Sequence, residues 1–414
     1  MKKFLTAAIL LLTLSPFCKL HSQVKKGWSI GPLPAIGYNS DLGFQYGALA
    51  DIFWFGDGST FPEYIHKFNV EVSQYTKGTG VYHLLYDSQH LLKGIRTTVD
   101  VSYITDKMMD FTGFNGYAAL YDPIFAQENP SFYKIDRRLF RATIDLQGSL
   151  GGNWRWAAGA GIYSYRVGEV RLDKYEGDDN LYSRYIDEGI ISVDESAGGG
   201  RVEIKAGVVH DTRDNESDPV KGFWTESILF GSPGQKSYLK LSLVHRGYLP
   251  IYKKRLTFAY RVAMQANIAG EAPFYMQQNL STLYFRQITS EGLGGINTLR
   301  GVMRNRVVGK GVAWANLELR YRFLDFKLFR QDWYLALNPF LDAGRVIQSY
   351  RLDEMKASAD PLIWSAAEER LHLSAGAGIK AVMNRNFIVS FEWGKPFNRK
   401  DGKNGMNVGL NYIF

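Results

Sequence analysis

Val312-Ala313-Trp314-Ala315-Asn316-Leu317-Glu318-Leu319-Arg320-Tyr321-Arg322-Phe323 alternates in character at every step. One face carries Ala313, Ala315, Leu317, Leu319, Tyr321 and Phe323, and the other carries Trp314, Asn316, Glu318, Arg320 and Arg322. Successive strand residues point to opposite sides, so an apolar face backed by a charged one separates two different solvents. The run is also longer than the five or six residues typical of soluble strands, and it suits a tilted membrane-crossing strand of about nine to eleven residues.

The same texture extends outward from this stretch. Leu335, Leu337, Pro339, Leu341 and Ala343 oppose Tyr334, Asn338, Phe340 and Asp342. Leu371, Leu373, Ala375, Ala377 and Ile379 oppose His372, Ser374 and Lys380, and Phe387, Val389, Phe391 and Trp393 oppose Ser390 and Glu392. A soluble sandwich or propeller would alternate too. Against it stand the length of the runs and the aromatics at their ends, Phe53, Trp54, Phe55, Tyr321, Phe323 and Trp393, where an interfacial girdle belongs. Counting back from Phe414 gives sixteen strands, the first near 43–55, one near 112–120 and the last near 405–414. An even count returns both ends to the periplasm. The expected fold class is all-β: a 16-stranded antiparallel transmembrane β-barrel. Residues 250–254, 324–332 and 383–386 become periplasmic turns, and 169–200, 271–310 and 346–370 become extracellular loops.

Composition agrees. The chain of 414 residues is 45% hydrophobic with a mean hydropathy of −0.21, which excludes a helical membrane protein. Its one long apolar run, Phe4–Leu14, follows Lys2 and Lys3 and precedes Ser15 and Pro16, the layout of a secretory signal. Residues 1–22 are expected to be that signal, cleaved after Ser22; 23–42 a periplasmic segment; and 43–414 the barrel, placed in the bacterial outer membrane. The single cysteine, Cys18, falls inside the signal, and the bulky Phe17 before it argues against lipidation. A net charge of +8, spread over so long a chain, points away from nucleic acid.

No enzyme reading gains a foothold. The chain has no Gly-x-Ser-x-Gly elbow, and Gly231–Ser237 lacks P-loop spacing. His66, His83, His90, His210, His245 and His372 are scattered without ligand spacing and are expected in the lumen or loops. Asp211, Asp214, Glu216 and Asp218 read as turn formers rather than a calcium site. No catalytic residue, metal or cofactor is expected.

Specific residues carry a resemblance. Gly294-Gly295-Ile296-Asn297-Thr298-Leu299-Arg300-Gly301-Val302, followed by Asn316–Tyr321, resembles the Arg-Gly loop and following strand of the bacterial surface antigen barrels of the BamA and TamA superfamily. Phe340-Leu341-Asp342-Ala343-Gly344 is similar to that superfamily's Phe-x-Asp-x-Gly strand motif. Asp211-Thr212-Arg213-Asp214-Asn215, running to Pro219 and Gly222, is similar to its periplasmic turn. Val302 departs from the pattern, since relatives carry an aromatic there.

By alternation Glu318 and Asp342 point into one lumen from adjacent strands, and a planar Arg300 guanidinium can engage both carboxylates. The resemblance implies that such contacts hold 271–310 inside the barrel, giving a 16-stranded antiparallel transmembrane β-barrel with an inward-folded extracellular loop. Asn407-x-Gly409-x-x-Tyr412-x-Phe414 fits the terminal-strand signal used in outer-membrane assembly and would place Met406, Val408, Leu410, Tyr412 and Phe414 on the lipid face.

The resemblance implies a role in inserting or translocating polypeptides through a weak seam between first and last strands; a structural barrel or pore is the alternative. Relatives carry periplasmic polypeptide-binding modules of about seventy-five residues, and Gln23–Leu42 cannot hold one. The expected partners are therefore outer-membrane lipids, a polypeptide substrate, and a separate periplasmic protein or lipoprotein. The last would touch Gln23–Leu42 or the turn Asp211–Lys221, where Pro219 prevents the turn from joining the sheet.

Overall fold

The computed structural model describes residues 24–414 except 62, 173–174, 176–178, 254, 284–290, 329, 351–364 and 366. The expected signal, its cleavage site and Cys18 lie outside the described residues. The strands are β1 (Trp28–Pro34), β2 (Gly37–Asn39), β3 (Gly43–Trp54), β4 (His66–Tyr75), β5 (Thr79–Leu92), β6 (Ile95–Asp110), β7 (Lys134–Gly151), β8 (Trp154–Gly168) and β9 (Gly198–Asp211). They continue as β10 (Gly222–Ser232), β11 (Tyr238–Tyr252), β12 (Leu256–Gly270), β13 (Gly311–Leu328), β14 (Gln331–Gln348), β15 (His372–Met383), β16 (Phe387–Pro396) and β17 (Gly405–Leu410). Each pairs antiparallel with its neighbour, and β17 closes the ring onto β2.

β1 and β2 are two segments of one strand. Trp28↔Trp54 through Pro34↔Ala48 and Gly37↔Gln45 through Asn39↔Gly43 keep a single register against β3, bridged by the Ala35 N–H to Gly47 O bond of 3.0 Å. The described residues therefore form a closed 16-stranded barrel. Two expectations change within that count. Residues 23–42 do not form a separate periplasmic segment, because Trp28–Asn39 is the first strand. Residues 112–120 do not form a strand: Gly116–Ala118 is a short 3-10 turn, with Phe114 and Tyr117 buried.

The outward rows match the sequence pattern. Leu317, Leu319, Tyr321, Leu337, Leu341, Ile379, Phe391 and Trp393 are exposed, while Asn316, Glu318, Asn338, Asp342, Lys380 and Glu392 are buried inside. Aromatic rings form belts at the end where the connections are short. Trp28 lies 4.9 Å from Trp54, and Phe68 lies 5.0 Å from Tyr86. Trp154, His210, Phe223, His245 and Tyr260 continue ring to ring at 4.5–5.7 Å. His210 and His245 are thus girdle residues on the outer face, not lumen or loop residues. Long connections at the other end mark it as extracellular.

Both mouths are filled. Over the extracellular end, Phe111, Phe114, Phe132, Tyr182, Tyr185, Phe274 and Tyr275 pack into one buried cluster. At the periplasmic end the chain after β17 turns inward. Asn411 takes φ 69°, and Tyr412 and Phe414 are 5% and 3% exposed. They face the lumen, contrary to the lipid-facing placement expected from the terminal pattern.

The physical reason lies in the first strand. Asn39↔Asn407 and Tyr38↔Val408 pair, and the Ser40 N–H donates to Met406 O, so even-numbered residues turn their N–H toward β17. Continued one residue at a time, that register would set Tyr412 opposite Pro34 and Phe414 opposite Pro32. Proline has no N–H, so the edge offers no donor at either place. The last four residues leave the sheet instead.

Candidate functional site

The Arg300 segment lies against the lumen wall. Its backbone N–H donates to Asp342 Oδ2 at 2.9 Å, Nε donates to the same oxygen at 2.9 Å, and Nη2 donates to Oδ1 at 2.8 Å. Nη1 is shared between Glu318 and Glu392, the latter at 3.0 Å. The Phe340 ring lies 3.6 Å beneath the guanidinium. A planar fork with five donors suits this arrangement, and each bond to a charged partner contributes about 1.5–3 kcal/mol.

The glycines serve close approach. Gly301 has φ 92°, and a Cβ on it would come within 2.5 Å of Gly394 backbone carbon. A Cβ on Gly344 would meet Leu293 and Leu299 at 3.0 Å. Val302, where an aromatic was expected by resemblance, is buried with Leu293, Leu299, Val307 and Trp314, so a small apolar tip fills that space.

Sequence reading brought Arg300, Glu318 and Asp342 together, and the structure adds Glu392, Lys380 and Arg320. Lys380 Nζ donates to Glu392 at 2.9 Å, and Arg320 Nε donates to Glu318 at 2.8 Å. Three cations thus meet three carboxylates in a buried network. Glu392 and Lys380 had been placed on inward faces, but nothing in one sequence ties β15 and β16 to a distant loop.

The same segment has two further anchors. Arg304 pairs with Asp106 at 2.6 Å on β6, across the barrel from Asp342, and with Glu291 at 3.2 Å. Arg306 donates to Gly116 O and Lys400 O, both at 2.9 Å. Below them, Arg261 donates to Asn316, Asn297 O and Ile413 O at 2.8, 2.7 and 3.3 Å, coupling wall, loop and tail. Arg320 stacks on Tyr412 at 3.9 Å and donates to Phe414 O at 2.9 Å. Of the terminal-pattern residues, Asn407 pairs across the seam, Gly409 accepts from Ser390, and Tyr412 and Phe414 belong to this lumen cluster.

The periplasmic turn is folded under the barrel rather than free. Arg213 forks onto Asp211 at 2.9 and 3.1 Å. Asp214 accepts the N–H groups of Val220 and Lys221 at 2.9 and 3.0 Å. Burial opposes ionisation of Asp214, but those donors and Arg385 hold its carboxyl below the usual range. Arg385, on the turn between β15 and β16, reaches Asp214 and Asp218 at 3.0 and 3.2 Å. Asp218 and Pro219 are buried, and with Tyr334, Arg320 and Tyr412 they line a cavity of about 250 Å³. Gly222, at φ 95°, closes the turn against Thr212 O. Among the described residues no cluster of His, Cys, Asp and Glu is arranged to hold a metal ion.

The ring closure agrees with comparison to known proteins. The Omp85 superfamily domain matches residues 66–414. The chain belongs to the Omp85 superfamily. This is a family of outer-membrane transport and assembly barrels rather than enzymes. Among solved structures, BamA from Haemophilus ducreyi lacking POTRA domains 1–3 is similar with a TM-score of 0.57 at 16% identity, over 94% of this chain and 71% of that one. CdiB from Escherichia coli is similar with a TM-score of 0.56 at 12% identity, over 93% of this chain and 62% of that one. At such identities the likeness concerns the fold, and this chain spans less than two thirds of CdiB. No curated protein sequence matches.

Proposed function

We propose that this Omp85 barrel takes part in inserting or translocating polypeptides at the seam between β17 and β2, with a separate periplasmic protein delivering the substrate. The observation that carries the reading is the seam itself. Two residue pairs and two Ser40–Met406 bonds join its strands, whereas β13 and β14 pair from Gly311↔Gln348 to Leu328↔Gln331. An unpaired strand edge templates pairing with another chain, so a seam this short suits capture of an incoming strand. The partner would meet the segment beginning at Val24 and the turn after β3, where Val24 and Phe61 are exposed.

A pore reading has less support, since the aromatic cluster, the Arg300 segment and the tail occupy the lumen. The test is a Tyr38→Cys/Val408→Cys disulfide across the paired positions. Oxidation in cells should arrest assembly or export of other outer-membrane proteins, and reduction should restore it. Undiminished activity with the seam fully cross-linked rejects the lateral reading. Gentle-detergent recovery from native membranes tests the partner: isolation of a fully active barrel alone removes the need for one.

A further inference from the structure

The extracellular rim on both sides of the seam is basic, and part of it faces the membrane. On β16 the outward row runs Phe391, Trp393, Lys395, all exposed. On β6 the outward row runs Tyr103, Thr105, Lys107. Along these rows Lys395 stands two residues, about 7 Å, beyond Trp393, and Lys107 stands four residues, about 13 Å, beyond Tyr103. Tyr103 packs 6.1 Å from Tyr82, whose hydroxyl accepts from Gln74, forming an outer-leaflet belt below Lys107.

Between these rows the turns add Arg399, Lys400 and Lys403, all exposed, and Lys77, which donates to Ser40 O at 2.7 Å across the first hairpins. The one acid between Lys395 and Asn404, Asp401, is buried and engaged by His372 and Tyr117. None of Lys77, Lys107, Lys395, Arg399 or Lys400 forms an ion pair among the described residues. Phe397, 66% exposed, sits in the middle of the basic turn.

We propose that this rim is a binding surface for phosphate-bearing head groups of the outer leaflet's lipid, with acyl chains lying against Phe391, Trp393 and Tyr103. The orientation of Lys107 and Lys395 selects a lipid over an acidic protein. A soluble acidic partner approaches from above and cannot reach side chains in the lipid-facing rows, whereas head-group phosphates lie at that level. Basic side chains at an anionic membrane surface add their attractions charge by charge, and aromatic rings belong at the interface just below. The surface flanks the seam, so bound lipid would border it on both sides. The inference concerns a different face from the lumen network and stands whether or not the seam opens.

The test uses full-length protein in neutral detergent, titrated with bis-phosphorylated lipid A or its dephosphorylated form and read by native mass spectrometry. Wild type should retain the phosphorylated lipid at least about tenfold more tightly, and 0.5 M salt should weaken that retention. Lys107→Gln/Lys395→Gln/Arg399→Gln/Lys400→Gln should lose the preference while keeping the heat-modifiable gel shift of a folded barrel. Equal retention of both lipids, or an unchanged preference in the folded variant, overturns the proposal. So does displacement of the lipid by polyglutamate at equal charge, which would mark the rim as a protein-binding surface.

Discussion

Gly301 lies so close to Gly394 that the loop backbone and the β16 backbone touch without an intervening side chain. This contact sets Arg300 at the depth where its fork reaches Asp342 and Glu318. Gly301→Ala would place a methyl within 2.5 Å of the Gly394 carbonyl carbon at φ 92°, so the loop must move. The expected cost is about 1–3 kcal/mol, read as a lower temperature for conversion of the compact gel form to the unfolded one. An unchanged conversion temperature argues that the contact does not set the loop position.

Arg300→Ala leaves Glu318, Asp342 and Glu392 without the cation they share. Breaking a buried pair from one side costs about 3–5 kcal/mol. Protease should then cut within 271–310 in intact cells. Arg300→Lys should recover only part of the loss, because a point charge cannot fork onto Asp342 while also meeting Glu318. Full rescue by lysine would show that charge alone matters.

Tyr412→Ala removes the ring stacked on Arg320 at 3.9 Å and leaves a space in the lumen. A loss of about 3 kcal/mol is expected, visible in the same heat-conversion assay. A spin label on Tyr412→Cys should report contact with lumen and periplasmic water rather than with lipid. Quenching by a lipid-phase relaxant would restore the outward strand end.

Asp41, in the extracellular turn between β2 and β3, is pushed up to about 6 by burial and then by the Asp110 carboxylate, against the pull of Arg304 and Lys134. The folded protein therefore holds this proton more tightly than the unfolded chain, whose aspartates titrate near about 3.9. The stabilisation is complete below about pH 4 and is lost as pH rises through about 6. The turn at residues 40–42 should exchange its amide hydrogens more slowly at pH 5 than at pH 7.5, after correction for intrinsic rates. Asp41→Asn should abolish that difference, and a difference that persists in the variant assigns the effect to another group.

The barrel was legible because Val312–Phe323 and its neighbours alternate, and membrane strands cannot hide that period. The Arg300, Glu318 and Asp342 contact was legible because two of its members share an inward face on adjacent strands. Glu392 and Lys380 were not, since their approach depends on how far the loop descends. Trp28–Asn39 was not legible as a strand because Gly31, Pro32 and Pro34 are residue types that central strands disfavour; here each proline turns its missing N–H away from β3, where the ladder with β3 does not need it. Residues 112–120 were mistaken for a strand because buried aromatics in a folded-over loop have the same composition as a membrane run. The tail was misplaced because its direction is decided by the strand it would have faced, thirty-four residues from the other end of the sequence.

The two prolines also make the first strand's free edge chemically lopsided. At Ser40 and Tyr38 the edge both gives and receives hydrogen bonds, but at Pro34 and Pro32 it can only receive them. Any segment laid along it from the periplasmic side would first be gripped through its own N–H groups alone. Only on advancing toward the cell exterior would it enter a fully reciprocal ladder. The edge therefore carries a gradient of grip that strengthens outward, written into the chain by two residues whose nitrogen has no hydrogen to offer.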